Sequence, residues 1–65
     1  MKPNYYRIEY RLRYQRKTTV IERVCSHDVT DLGSLIMISN IPGWGQPVVI
    51  PRKEIMLYSQ SLIVN

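Results

Sequence analysis

Cys25 and His27 stand two residues apart with Asp28 following. A thiol, an imidazole and a carboxylate are the groups from which a nucleophile with its base, or the beginning of a metal site, is built. Neither set can be completed here. Cys25 is the only cysteine and His27 the only histidine, whereas a structural zinc needs four good ligands and a cysteine nucleophile needs an oriented base and an oxyanion site. The three glycines, at 33, 43 and 45, have neither P-loop nor Rossmann spacing. The trio is read as chance placement at a strand end, and the chain as non-enzymatic, with no catalytic residue, metal or cofactor.

A different chemistry comes from the arginines. Arg7, Arg11 and Arg13 occupy alternate positions with Glu9 between them, and Arg16 and Lys17 carry the positive charge onward. Every second residue of a strand advances about 6.6 to 6.8 Å, comparable with the separation of phosphates along a nucleic-acid strand, so such a ladder can track a backbone. Tyr5 shares the arginines' parity and is placed to stack on a base. Against this, Glu9 can neutralise its neighbours, no known DNA- or RNA-binding motif accompanies the ladder, and a charged outer face also serves plain solubility.

Two further residues suit contacts with partners. Trp44 lies between Gly43 and Gly45, where an indole on flexible flanks can anchor a protein interface or stack on a base, or fold back as a lid over a thin core. Met37 belongs to the apolar run Leu35 to Ile38, which exceeds what one face of a surface helix needs; if that helix covers one face of the sheet, Met37 protrudes at a dimer interface, and the alternative is that the small core takes up the whole run.

The elements that position these residues follow from periodicity. Tyr6, Ile8, Tyr10, Leu12 and Tyr14 alternate with Arg7, Glu9, Arg11 and Arg13, the period-2 pattern of a strand with one face packed and one solvated. Gln15, Arg16 and Lys17 interrupt it, and Thr18 to Cys25 resumes as a β-branched run, so a β-hairpin is expected. The turn lacks an Asn-Gly or Asp-Gly pair, and the second strand's imperfect alternation calls for a bulge. Between Asp28 and Ser39 two readings compete. Ser26 as N-cap, Asp28 and Asp31 in a first turn, apolar Val29, Leu32, Leu35 and Ile36 near one face, and Asn40 at the left-handed C-terminal position together favour a helix. The rival is a buried strand over Leu35 to Ile41, supported by Gly33, a poor interior helix residue. Ile41 to Pro47 is a loop, Val48 to Ile50 a short strand, Pro51 to Glu54 a turn and Ile55 to Val64 a last strand. The expected fold is a single α+β domain over residues 1–65, ordered β-β-α-β-β, with an antiparallel sheet and one helix. The alternative is an all-β five-stranded meander or small SH3-like barrel.

At 65 residues a chain buries only about 60% of the surface that its unfolded form exposes. Without a disulfide or metal it is expected to gain stability by self-association, most simply as a homodimer. One cysteine fits a reducing compartment. Met1, Lys2 and Pro3 lead into the alternation without the roughly 7 to 15 apolar residues of a secretory signal, and no apolar run approaches the roughly 20 residues of a membrane span. A soluble, cytoplasmic protein is expected.

The net charge of +4 is unevenly spread: residues up to Arg23 balance at +5 and the remainder at −1. Such a field favours phosphate backbones, anionic lipid or acidic protein surfaces. The reading is a small nucleic-acid-binding accessory protein using Tyr5, Arg7, Arg11, Arg13, Arg16 and Lys17; the alternative is an interaction module, inhibitor or adaptor, anchored by Trp44 and an exposed sheet edge. The expected order of elements resembles that of small orphan proteins of phages and mobile elements, a likeness of architecture that carries no site residue across.

Overall fold

The computed structural model describes residues 3–63. Six strands run in the order β1 (Tyr5–Leu12), β2 (Thr19–Cys25), β3 (Val29–Asp31), β4 (Leu35–Ile38), β5 (Val48–Pro51) and β6 (Ile55–Leu62). They form two three-stranded antiparallel sheets, β2-β1-β6 and β3-β4-β5. Two single 3-10 turns carry the chain between sheets, Ser26–Asp28 from β2 to β3 and Arg52–Glu54 from β5 to β6. The fold is all-β, with no α-helix among the described residues.

Alternation in β1 does what period 2 requires. Ile8, Tyr10 and Leu12 are buried, and they meet Ile21 and Val24 of β2, Ile36 and Ile38 of β4, Ile50 of β5 and Ile41 of the following loop in one core. Burying an isoleucine of this kind contributes about 1.5–3 kcal/mol. The expected hairpin forms, and a register shift between Tyr6 and Ile8 supplies the bulge. β1 stops at Leu12 because Gln15 reaches back: its N–H donates to the Leu12 carbonyl at 3.0 Å, and its side-chain Oε1 accepts from the Leu12 N–H at 3.1 Å. Tyr14 therefore lies in a turn, 72% exposed, and not on the packed face that the alternation assigns to it.

The helix expected over Asp28 to Ser39 does not form, and with it falls the β-β-α-β-β order; the α+β assignment is corrected to all-β. Val29, Thr30 and Asp31 pair with Ile38, Met37 and Ile36 instead. The reversal between them is a tight turn at Gly33 and Ser34, closed by the Leu32 N–H donating to the Leu35 carbonyl at 2.9 Å. Gly33 has φ +86°, the sign that a type II′ hairpin takes at its first central residue, and its N–H donates to Asp31 Oδ1 at 2.9 Å. Asp31 thus shapes a turn, not a helix start. Ser26 opens a 3-10 turn with its N–H donating to the Asn4 carbonyl at 2.8 Å. Asn40 does adopt a left-handed φ of 53°, but after a strand, with its side chain donating to Asp28 Oδ1 at 3.0 Å. The likeness to phage and mobile-element proteins depended on the helix and lapses with it.

The remaining strand expectations hold with shifted bounds. The strand of the rival reading forms over Leu35–Ile38 and stops short of Ile41, the short strand runs one residue further than expected and takes in Pro51, and the last strand is Ile55–Leu62, while Val64 lies outside the described residues. No helix among the described residues is long and apolar enough to cross a membrane.

Candidate nucleic-acid interface

The outer face of the β2-β1-β6 sheet holds the arginine ladder, and its register decides which charges are available. Arg7, Glu9 and Arg11 of β1 lie opposite Ser61, Ser59 and Leu57 of β6. On the other side the bulge brings Glu22 close. Arg7 is hydrogen-bonded to Glu9 and lies 3.6 Å from Glu22 Oε2, so two carboxylates neutralise it. Arg23 of β2 places its guanidinium carbon 4.1 Å from the centroid of the Tyr5 ring, a cation–π contact. One face of Tyr5 is thereby occupied by a side chain of its own protein.

Arg11, by contrast, has no carboxylate within 4.0 Å among the described residues, nor do Arg16, Lys17 or Lys53. Arg16 and Lys17 are exposed in the β1–β2 turn. That turn is tied to the Arg52–Glu54 turn: the Arg13 N–H donates to the Glu54 carbonyl at 2.8 Å, and Arg13 Nε donates to the Lys53 carbonyl at 3.3 Å while standing 3.9 Å from Glu54. Lys53 thus joins Arg13, Arg16 and Lys17 at one end of the sheet, with Arg11 two residues back on the outer face. Lys53 and Arg23 carry weight that the sequence reading missed. Lys53 is separated from the ladder by most of the chain, but the pairing of Leu12 with Ile55 brings the two cationic turns together.

Arg52 serves structure. Its Nε donates to the Gly33 carbonyl at 2.8 Å and its Nη2 lies 2.6 Å from Asp31 Oδ2. The Gly33 N–H and Arg52 hold the Asp31 carboxyl below its ordinary value of 3.8. Nearby, an open cleft of about 450 Å³ runs between β3 and β6, lined by Val29, Asp31, Ile36, Arg52, Ile55, Tyr58 and Gln60. Desolvation there pushes the Tyr58 phenol above its ordinary 10.0, against the pull of Arg52.

Trp44 closes a turn in which its N–H donates to the Ile41 carbonyl at 3.0 Å. Pro42 and Gly43, the latter at φ +81°, hold the positions that a type II turn prefers for them. The indole shares a shallow cavity of about 190 Å³ with Val20, Glu22, Arg23 and Pro42, so it lies beside β2 with 43% of the residue exposed. Met37 sits in the middle of β4, half-buried and opposite Thr30 and Val49; it is a strand residue and not the helical protrusion expected. Cys25 is half-buried, His27 is exposed, and no cluster of three metal-ligating side chains occurs among the described residues.

No protein-family model, curated protein or solved structure matches the chain.

Proposed function

We propose that the protein is a small non-enzymatic accessory protein that binds nucleic acid through the end of the β2-β1-β6 sheet where Arg11, Arg13, Arg16, Lys17 and Lys53 gather. The observation that supports this reading is the division of the cations. Arg7, Arg23 and Arg52 are engaged by carboxylates or by an aromatic ring, while the gathered group faces a single acid, Glu54, at 3.9 Å. Charges without intramolecular partners keep their full attraction for phosphate, and binding releases counterions from the nucleic acid. The half-exposed indole of Trp44 alongside β2 offers a plane for an unpaired base.

Titration of a fluorescent single strand and a duplex at several salt concentrations tests the reading. Binding is expected at low salt, and replacing Arg16 and Lys17 by alanine should reduce the slope of log affinity against log salt by about 1.4 on a single strand or about 1.8 on duplex DNA if each makes one phosphate contact. Absence of binding by the wild-type protein at low salt, or a slope unchanged in the folded double variant, would remove this function.

A further inference from the structure

The two sheets present four edges, and three of them are blocked against pairing. β3 is only three residues long and ends on a charged Asp31. β5 is four residues long, preceded by Pro47 and ended by Pro51. β2 is bulged, carries Glu22 and Arg23, and borders the turn around Trp44. Short length, charge, proline and bulges are the devices by which edge strands are kept from joining other chains. β6 has none of the charge and none of the proline, and its one bulge lies at its start, where the pairing with β1 passes over Met56 and leaves Leu57 to Leu62 regular. From Ile55 to Leu62 it reads Ile-Met-Leu-Tyr-Ser-Gln-Ser-Leu, with Ile63 next in the chain, and its only strand neighbour among the described residues is β1.

Its backbone is also turned for pairing. The Ile63 N–H donates to the Tyr5 carbonyl at 2.8 Å, and bonded and non-bonded pairs alternate along an antiparallel ladder. With Arg7 opposite Ser61, Glu9 opposite Ser59 and Arg11 opposite Leu57, those three β6 residues direct their N–H and C=O groups at β1. Tyr58, Gln60 and Leu62 direct theirs away from the sheet.

We propose that β6 is a homodimer interface, pairing antiparallel with β6 of a second copy about a two-fold axis at Gln60. The second copy is the occupant because the strand complements itself in this register. Gln60 meets Gln60 of the second copy, and Tyr58 meets Leu62 on the inner face. Leu57 meets Ile63 and Ser59 meets Ser61 on the outer face. No pair opposes like charges, every outward N–H and C=O of Tyr58, Gln60 and Leu62 finds a partner, and the aromatic–aliphatic pair is of the favourable cross-strand kind. Leu62 and Leu57, 57% and 40% exposed in one chain, each gain an apolar cross-strand neighbour. Leu62 from the second copy lands beside Tyr58, over the cleft whose apolar wall is Val29, Ile36 and Ile55. Moving the register so that Ser59 meets itself sets Leu57 against Ser61 and loses that match. The interface does not depend on nucleic-acid binding.

Sedimentation from micromolar to millimolar concentration should give wild-type protein of twice the 7.7 kDa chain mass. Gln60→Pro removes an outward N–H without touching the ladder to β1, and should sediment as a folded monomer. The double variant Ser59→Lys with Ser61→Lys sets lysine against lysine on an exposed face and should do the same, while mixing it with Ser59→Glu, Ser61→Glu protein should restore a dimer, which shows that both fold. In a Cys25→Ser background, Gln60→Cys should cross-link under mild oxidation, since bonded antiparallel pairs stand about 5.5 Å apart at Cα, within the reach of a disulfide; Val49→Cys, on the other sheet, should not. A wild-type monomer throughout the range overturns the proposal, as does a dimer that survives the lysine pair or cross-links at Val49 as readily as at Gln60.

Discussion

The two sheets divide the work unequally. The β2-β1-β6 sheet has strands of seven or eight residues and a charged outer face, whereas the β3-β4-β5 sheet has strands of three or four residues whose outer face carries Thr30, Met37 and Val49. Yet both send fully buried isoleucines into the same core, Ile8 and Ile21 from one and Ile38 and Ile50 from the other. Packing is therefore a shared property, while charge belongs to the longer sheet. A small domain can place its recognition chemistry on one layer only if the other layer supplies apolar surface at low chain cost.

The largest expected effect probes the shared core. Ile8→Ala and Ile38→Ala should each cost about 2–5 kcal/mol, a large part of a small domain's stability, and each should lower the melting temperature of one cooperative transition. Two separate transitions by calorimetry would mean that the sheets are independent units. A smaller effect separates their turns. Gly33→Ala, at φ +86° in the short sheet, should cost about 1–2 kcal/mol from left-handed strain, while Arg16→Ala in the longer sheet's turn should stay within about 0.5 kcal/mol, both read by chemical denaturation.

The third contrast lies within the charged face. Arg7→Ala should leave nucleic-acid affinity nearly unchanged and alter stability by at most about 1 kcal/mol, as exposed ion pairs do. Arg11→Ala should weaken binding and reduce its salt dependence with no measurable loss of stability. Equal binding losses would mean that the Glu9 and Glu22 contacts do not withhold Arg7 from phosphate. The smallest effect is a pH dependence. Because the folded-state value of Asp31 is lowered, its contribution is present above the ordinary aspartate value of 3.8 and is lost as pH falls through the depressed one. Asp31→Asn should flatten that acid limb of a stability–pH profile, and an unchanged limb would show that the contacts with the Gly33 N–H and Arg52 are without consequence.

What was legible in the chain depended on the length of the signal. β1 offers four full alternations and was readable to within a residue at its start; its end was not, because Gln15 stops it by contacts that periodicity does not encode. β3 and β4 have three and four residues, too few to display a period, and Val29, Leu32, Leu35 and Ile36 happen to fit helical spacing. Gly33-Ser34 is the local sign of a hairpin, while Ser26, Asp31 and Asn40, which have the types of helix caps, shape turns instead. The ladder's parity is legible, and so is the neutralising role of Glu9, but the second carboxylate on Arg7 is not, since Glu22 reaches it through a bulge. Lys53 joins through a strand pairing that spans most of the chain.

That pairing sets the order in which the domain can be made. Tyr6 lies against Leu62 and Leu12 against Ile55, so β1 keeps one edge open until nearly all the described chain exists, whereas β3, β4 and β5 pair only with neighbours in sequence. Closing so long a loop costs little in equilibrium terms, about 0.6 kcal/mol for each doubling of length, but non-local strand pairing slows folding into the millisecond-to-second range. During synthesis, the cationic hairpin of β1 and β2 leaves the ribosome well before the strand that covers its flank. A nascent chain stalled before Ile55 should remain protease-sensitive, and one extended far enough to release Leu62 should become resistant in a single step.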